Sequence, residues 1–378
     1  MKVAIFSPYL SNNYGTVLQA YALQTMLSDL GYSSDYINWR IVSNSLIKKC
    51  VFLVSHPFFF YHLRKYNAVS KKDLHYSFLC EADYKKTFYK NEEFVKRNMS
   101  INTQIYDFIE FKKLEKMYDT FIVGSDQTWT PYSFYQYSPY YLSFVKERHK
   151  INSYGCSLGT NSIPKYFKSF LRKKLSRFNR ISCRDRINID SLKQITGRDI
   201  THVVDPTLLI DSIKWEKVMM PIPHLPECFI LCYILGERDC VSDYAEELSK
   251  EKGIPVYYIL TRPKYNVKAN CLKGVGVSEF LWLIKEAKYV VTDSFHGTIF
   301  SINLGTNFVS FDKFSGNELD NGRVKDLLDT YGLSSHFRKG NESFLIPEEI
   351  DFSVVHESIA NNRKNSISYL KSIFEHVD

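Results

Sequence analysis

The chain has 378 residues, which exceeds the usual size of one domain and favours two domains that each bury a core. Apolar residues make up 44% of the chain and charged residues 24%, ordinary values for a soluble globular protein, and a small disulfide scaffold is excluded. The formal net charge of +8 favours an anionic partner, but it does not choose among phosphate, anionic lipid and nucleic acid.

The cysteines and the N-terminus bear on metal binding and on location. The eight cysteines are scattered, and Cys228 and Cys232 have no matching second pair, so neither a zinc site nor a redox dithiol is indicated. Lys2 leads directly into a short apolar strand and then Ser7-Pro8, which does not resemble a signal peptide. We therefore expect a cytoplasmic protein with reduced thiols and no metal.

The first half of the chain alternates between short apolar runs and helical periodicity. A strand is predicted at 2–6, a helix over 15–30 that Gly31 ends, and a strand at 34–39, which together form a right-handed β-α-β unit. Further short strands are predicted at 121–125, 151–157, 180–185 and 201–206.

A second alternation follows. Strands are predicted at 229–236, 256–260, 289–294 and 307–311, with helices at 240–252, 278–288 and about 352–375. The expected fold is α/β, with two Rossmann-like domains that face each other across a cleft. The predicted divisions are 1–210 for the N-terminal α/β domain, 211–351 for the C-terminal α/β domain, and 352–378 for a C-terminal helix.

The region from about 41 to 110 departs from this alternation and is predicted to be a basic, aromatic insertion. Its apolar run at 50–61 contains Pro57 and is far shorter than the ~20 residues that span a bilayer. Two interpretations stay open for it. One is peripheral contact with a membrane surface or a lipid-linked diphosphate, and the other is a surface subdomain with its own small core.

Two common nucleotide signatures are missing. The loop after the first strand lacks the G-x-G-x-x-G pattern, and the chain lacks a G-x-x-x-x-G-K-[ST] loop. Dinucleotide-dependent redox chemistry and P-loop hydrolysis therefore have no sequence support, and we expect no nucleic-acid partner.

Four segments together resemble the polysaccharide pyruvyltransferase family. They are NNYGTVLQAYAL (12–23), FIVGSDQTW (121–129), SCRD (182–185) and DSFHGTIFSINLGTNFVS (293–310). The resemblance implies transfer of the enolpyruvyl group of phosphoenolpyruvate to sugar hydroxyls. It also implies a glycosyltransferase-B-like arrangement, with the N-terminal domain on the acceptor side and the C-terminal domain on the donor side. The acceptor would be a cell-surface polysaccharide or its lipid-linked precursor, and the products a pyruvate ketal and phosphate. Phosphoenolpyruvate would be a co-substrate, with no other cofactor.

Donor-binding candidates cluster where a predicted strand ends and a helix begins. Ser294, His296 and Gly297 would place free N–H groups and a positive dipole end beside an imidazole, which suits phosphate or carboxylate. The resemblance implies a role for His296 as general acid or phosphate ligand. The alternative is that Asp293 and Ser294 only cap the helix and that His296 is structural.

Fixed cations are also expected at a site for phosphoenolpyruvate. Arg184 is the first candidate because a guanidinium binds carboxylate or phosphate in bidentate fashion, although an ion pair with Asp185 would also explain it. Lys313 and Arg323 are further donor-binding candidates, and each is equally compatible with a solvated surface charge.

Acceptor-binding candidates lie in two N-terminal loops. Asp126 is the candidate base for a sugar hydroxyl and Trp129 could stack on a sugar ring, whereas a helix cap and a core residue are the alternatives. Asn12, Asn13 and Gly15 could bind sugar hydroxyls or phosphate, and a plain turn with a helix cap explains them nearly as well.

Two other functions stay open at this stage. A nucleotide-sugar-dependent glycosyltransferase of similar architecture would bind a uridine or cytidine nucleotide in preference to phosphoenolpyruvate. A noncatalytic glycan- or anion-binding protein would bind ligand without releasing phosphate. The sequence does not identify the acceptor sugar, the hydroxyl pair or the oligomeric state.

Overall fold

The computed structural model describes most of the chain. The described residues are 1–40, 50, 53–54, 81–131, 138–236, 239–260, 270–315, 318–319, 322–340 and 342–375.

The first β-α-β unit forms as predicted, from β1 (Lys2–Phe6), α1 (Tyr14–Asp29) and β2 (Ser33–Trp39). Strand β1 is buried on both faces from residue 3 to 6, which suits a central strand of a parallel sheet covered by helices. Asn13 caps α1, because its side-chain oxygen accepts a hydrogen bond from the Gly15 N–H at 3.0 Å.

The N-terminal sheet has five parallel strands in the order β3-β2-β1-β4-β5. The strands β3 to β7 are Ile101–Tyr106, Thr120–Val123, Ile151–Ser153, Ser182–Cys183 and Thr201–His202. The helices α2 to α5 are Glu81–Asn98, Phe111–Leu114, Lys165–Leu175 and Arg186–Thr196. Single bridges join Asn152 to Arg180 and Cys156 to Cys183, so the β6–β7 pair extends the same layer.

The predicted insertion is only partly described. Its last part forms α2 and β3, and β3 pairs in parallel with β2 at the edge of the sheet. Residues 81–106 therefore continue the strand–helix alternation instead of interrupting it. The apolar run at 50–61 lies outside the described residues except at positions 50, 53 and 54.

The C-terminal sheet also has five parallel strands, in the order β14-β11-β10-β8-β9. Strands β8 to β14 are Ile230–Ile234, Val256–Leu260, Tyr289–Thr292, Phe308–Phe311, Phe314–Ser315, Glu318–Leu319 and Phe337–Arg338. Helices α6 to α10 are Ser212–Glu216, Cys240–Lys252, Val277–Glu286, Phe295–Leu304 and Gly322–Thr330. The fold class is thus confirmed as two Rossmann-like α/β units, whereas the division near residue 210 stays a prediction.

The final helix, α11 (Phe352–Ser372), runs from the C-terminal unit back to the N-terminal one. Near its start, a ring nitrogen of His356 lies 2.9 Å from the carbonyl oxygen of Ile302 in α9. Near its end, the Tyr369 hydroxyl donates to the carbonyl oxygen of Ser153 in β5 at 2.8 Å. This helix therefore ties the two sheets together. No helix in the described part of the chain has the length and apolar character to cross a bilayer.

Candidate functional site

Four chain segments that are far apart in sequence meet between the two sheets. They are the N-terminus of α1 at 14–16, the loop after β4 at 125–127, the end of β6 at residue 184, and the N-terminus of α9 at 295–297. All four follow the carboxyl ends of parallel strands, where ligands bind in open α/β sheets.

The two units touch through a glycine and a histidine. A Cβ atom built on Gly15 would lie 1.9 Å from Nδ1 of His296, so only a glycine allows this approach of α1 to α9. Both residues lie in the first turn of their helices, where unpaired N–H groups carry partial positive charge. Two helix N-termini thus converge on one point.

A buried guanidinium organises the N-terminal side of this point. The Nη1 atom of Arg184 donates to Asp205 and, at 3.2 Å, to the Ser125 hydroxyl, while its Nη2 atom donates to Asp126 at 3.3 Å. Burial lowers the pKa of a guanidinium, but Asp205 and then Asp126 outweigh it and raise the pKa of Arg184 above its ordinary value. Arg184 lies in the predicted site, but its charge is already paired with Asp126 and Asp205 in addition to Asp185.

Asp126 lies at the cleft with an unusual backbone. Its φ of 75° falls in the left-handed region, which Asp tolerates better than most residues. Its carboxylate accepts from the Thr16 hydroxyl at 3.1 Å as well as from Arg184. Burial alone would raise the pKa of this carboxyl, but Arg184, His296 and the hydrogen bonds to the carboxylate together outweigh it, and the pKa is lowered. An ionised Asp126 can accept a hydrogen bond from a sugar hydroxyl and is a weak base.

His296 is buried with its Nε2 atom 4.0 Å from the Asp205 carboxylate. Within the described residues this Nε2 atom has no hydrogen-bond partner. Burial lowers the pKa of His296 to about 4, although Asp205 acts in the opposite direction. The imidazole is therefore neutral at pH 7 and has an unused polar atom at the site.

A second guanidinium lies beside the first. Both lie over the ring of Phe295, with the guanidinium carbon of Arg184 5.4 Å and that of Arg323 5.8 Å from the ring centroid. When the Gln127 amide is oriented with its oxygen toward Arg323, it accepts bonds of 2.8 and 3.1 Å. Arg323 is thus at the site, as the sequence predicted, and is more exposed than Arg184.

The other donor-side candidates have local structural roles. The Ser294 hydroxyl accepts from the Gly297 N–H at 3.2 Å and so caps α9. A Cβ atom on Gly297 would lie 2.7 Å from Oγ1 of Thr292, so this glycine permits close packing of helix on strand. Lys313 is half-exposed and lowers the pKa of Asp293, although burial outweighs it and the pKa is raised overall.

A cavity of about 340 Å³ lies next to α1, between α2 and the ends of β8 and β9. It is largely apolar and is lined by residues that include Asn12, Tyr84, Thr87, Tyr233, Leu272 and Val275. The Asn12 amide donates to the Tyr84 carbonyl oxygen at 3.2 Å, and its Oδ1 atom is buried without a hydrogen-bond partner among the described residues. Asn12 and Asn13 both line this cavity, as does Tyr14 beside Gly15.

The position of Trp129 corrects one expectation. Its side chain is fully buried in the core of the N-terminal unit, where the indole N–H donates to the Tyr140 carbonyl oxygen at 3.3 Å and the ring packs on Phe178. Stacking on an acceptor sugar does not fit this position, and the core alternative holds. The residue packs on the face of the sheet away from the cleft contact between Gly15 and His296.

Sequence reasoning missed four residues of the site, namely Asp205, Thr16, Gln127 and Phe295. Asp205 contacts both Arg184 and His296, and its other oxygen accepts from the Thr207 N–H at 2.9 Å. The available signal was its place at the end of a predicted strand, before Pro206. The described residues include no group of three or more His, Cys, Asp or Glu side chains that could hold a metal, and the expected absence of a metal stays a prediction.

The sequence matches the polysaccharide pyruvyl transferase family over residues 13–312. The chain belongs to this family. The matched range contains the segments of the Gly15–His296 contact and of the Arg184 network, whereas Arg323 and α11 lie beyond it. None of the curated proteins matches the sequence.

Solved structures resemble this polysaccharide pyruvyl transferase family member in fold. The UDP-GlcNAc 2-epimerase from Methanocaldococcus jannaschii has 11% identity and a TM-score of 0.50, with 95% of this chain and 92% of that chain covered. The E. coli heptosyltransferase WaaC with ADP has 12% identity and a TM-score of 0.41, with 96% and 100% covered. The likeness to the epimerase concerns the fold alone and supports the glycosyltransferase-B-like arrangement of the two units.

Removing the buried guanidinium should destabilise the protein. In Arg184→Met, Asp126 and Asp205 lose their cation, and we expect the free energy of unfolding to fall by about 3–5 kcal/mol in denaturant titrations. Arg186→Met, which alters an exposed side chain, is the matched control and should stay within about 0.5 kcal/mol. Equal effects of the two substitutions would contradict the proposed role, and adding Asp205→Asn to Arg184→Met should recover part of the loss.

His296 should make the fold sensitive to acid. Its pKa is about 4 in the folded chain and about 6.5 when unfolded, so stability is unaffected above pH 6.5 and falls as the pH drops toward 4. Between these pH values His296 binds a proton in the unfolded chain but not in the folded chain. The free energy of unfolding should therefore fall by on the order of 3 kcal/mol. Unfolding measured at pH 7 and 4.5 should show a smaller loss in His296→Asn. The exposed His149→Asn is the control, and parallel pH profiles for all three proteins would refute the assignment.

Proposed function

We propose that this protein transfers the enolpyruvyl group of phosphoenolpyruvate to sugar hydroxyls of a cell-surface polysaccharide or its lipid-linked precursor. The products would be a pyruvate ketal and phosphate, with no cofactor besides the co-substrate. The observation that carries the proposal is the meeting of the four motif segments at one point, where a neutral imidazole lies among paired charges. Membership of the family supports the same reaction class.

The donor carries a carboxylate and a phosphate, and it needs cations that it can reach from the cleft. Arg184 is engaged by Asp126 and Asp205, so in this proposal it positions those carboxylates and takes little part in binding phosphate. Arg323 is the cation best placed for the donor, because it is partly exposed, lies beside Phe295 and is oriented by Gln127. The first turn of α9 would add backbone N–H groups for the phosphate or carboxylate.

His296 would move the proton. An anionic donor beside the imidazole favours its charged form, so donor binding would raise the pKa of His296 from about 4 and protonate it. The imidazolium would give that proton to the methylene carbon, and the resulting cationic carbon would be attacked by a sugar hydroxyl. Asp126 would accept the hydrogen bond of that hydroxyl.

The atoms of this reaction balance without a redox step. One hydroxyl proton replaces the proton that becomes part of the new methyl group, and the other leaves with inorganic phosphate. The carbon–carbon double bond becomes a single bond as the methyl group forms, and the carbon–oxygen bond to phosphate breaks. Two carbon–oxygen bonds to the sugar replace them. His296 and Asp126 would hold or pass these protons, while Arg323 and α9 stabilise the departing phosphate.

The acceptor sugar would occupy the cavity beside α1. A volume of about 340 Å³ suits a small saccharide, the rings of Tyr84 and Tyr233 provide apolar surface, and Asn12 provides an unsatisfied oxygen for a hydroxyl. Tyr14 lines the cavity and precedes Gly15, which touches His296, so the cavity and the imidazole are adjacent.

Donor binding is the first test of the proposal. Calorimetric titration with phosphoenolpyruvate should show saturable binding that Arg323→Gln weakens about 10- to 100-fold, because a hydrogen bond to a charged group is lost. Lys325→Gln, which removes an exposed cation of the same helix α10, should bind normally. Binding of a uridine or cytidine nucleotide instead of phosphoenolpyruvate would overturn the proposal in favour of a nucleotide-sugar-dependent glycosyltransferase.

The acceptor cavity can be filled without touching the donor residues. In Thr87→Trp the indole ring would enter the cavity from α2. The acceptor KM should rise by about tenfold or more, while phosphoenolpyruvate affinity is unchanged. The readout is phosphate release against acceptor concentration. Tyr89→Trp, at a position 61% exposed on the same helix, is the control. An unaltered acceptor KM in Thr87→Trp would exclude the cavity as the acceptor site.

A further inference from the structure

Helix α4 and the residues just after it form a basic surface on the N-terminal unit. Residues 165–177 read KYFKSFLRKKLSR, with six basic residues and no acidic one. Phe167, Leu171 and Leu175 are buried against the sheet at the spacing of one helical face. The exposed cations on the other side are Lys165, Lys168, Arg172 and Lys173.

The cations of α4 lie near few acidic side chains in the part of the chain that the structure describes. Among the described residues, no acidic side chain forms an ion pair with a cation of α4. Lys174 and Arg177 lie close to other cations. Burial lowers the pKa of Lys174 most, and the nearby charges of Arg177 and Lys173 lower it further. Burial and then Arg148 lower the pKa of Arg177, with Glu115 as a partial offset. The surface therefore carries a positive potential that an anionic partner would relieve.

Aromatic side chains accompany the cations. Tyr166 is 62% exposed in the first turn of α4, and Phe170 lies half-buried one turn later with the Lys174 ammonium 5.6 Å from its ring centroid. A helix with Lys and Arg on its polar face and amphipathic aromatic rings beside them suits the interface between lipid headgroups and water.

We propose that α4 docks the protein onto an anionic membrane surface, with its exposed lysines against the lipid headgroups and Tyr166 at the interface. Clusters of four to eight cations on an amphipathic helix are typical of such surfaces. This orientation of the protein on the membrane would bring the candidate site near the surface. Gly159, six residues before α4 begins, packs on Gln127 of that site. Docking holds the site close to the headgroups. The proposal does not depend on the identity of the transferred group.

Vesicle binding tests the proposal with the full chain. Sedimentation with phosphatidylglycerol–phosphatidylcholine vesicles should recover the wild-type protein, whereas vesicles of phosphatidylcholine alone should not. Each lysine removed should weaken binding about fivefold, so Lys165→Gln/Lys168→Gln/Lys173→Gln should lose on the order of 100-fold in affinity. Binding should also weaken as salt is added.

A matched triple variant separates local from overall charge. Lys250→Gln/Lys252→Gln/Lys288→Gln removes three exposed lysines from the C-terminal unit and should bind anionic vesicles like the wild type. Equal losses in the two triple variants would overturn the proposal, and so would binding of dextran sulfate in the absence of vesicle binding. Phosphoenolpyruvate affinity should be the same in the α4 variant and the wild type, so the outcome is separate from that of the proposed reaction.

Discussion

The buried guanidinium of Arg184 is the interaction on which the site depends. Through one side chain it fixes the loop after β4, at Ser125 and Asp126, and the end of the segment after β7, at Asp205. Both loops leave the same edge of the parallel layer, and both would otherwise carry carboxylates that repel each other. Asp205 in turn faces His296 of the other unit, so the ion pairs of one domain set the electrostatic environment of a residue in the next.

The absence of a side chain at Gly15 is the matching constraint across the cleft. Because the first turns of α1 and α9 meet at Gly15 and His296, their positive ends act on the same small volume, which contains the imidazole of His296. Two positive helix ends, nearby guanidinium groups and burial all oppose a proton on this ring. The same surroundings would favour a bound anion. Such an anion would raise the pKa of His296 and so favour its protonated form.

The fold was largely predictable because buried parallel strands are short, continuous apolar runs and their helices have clear periodicity. Strands such as β4 and β10 end earlier than predicted, since the residues after them turn into the loops of the site. Residues 81–106 were misread because the polar α2 and the half-exposed β3 give weak patterns. The chain near His296, Asp126 and Arg184 was recognisable from motif segments.

Partners across long separations were not predictable in the same way. Nothing local in the sequence shows that Asp205 contacts residues 21 and 91 positions away, or that the charge of Arg184 is already shared. The sequence does not show on which side of a sheet an aromatic residue packs. The burial of Trp129 in the core was therefore visible only in the structure. Propensity and spacing describe single elements, whereas these contacts depend on how the two sheets are placed.

Helix α11 limits how the two halves can move. The chain crosses between the sheets once before β8 and again at α11, whose ends are fastened to β5 and to α9. A body joined at two separate points cannot swing freely in every direction, and the rotation that strains neither crossing is a hinge about the line through both. Any opening of the cleft would thereby be confined to one arc, along which the imidazole and the facing glycine would separate and return to the same register.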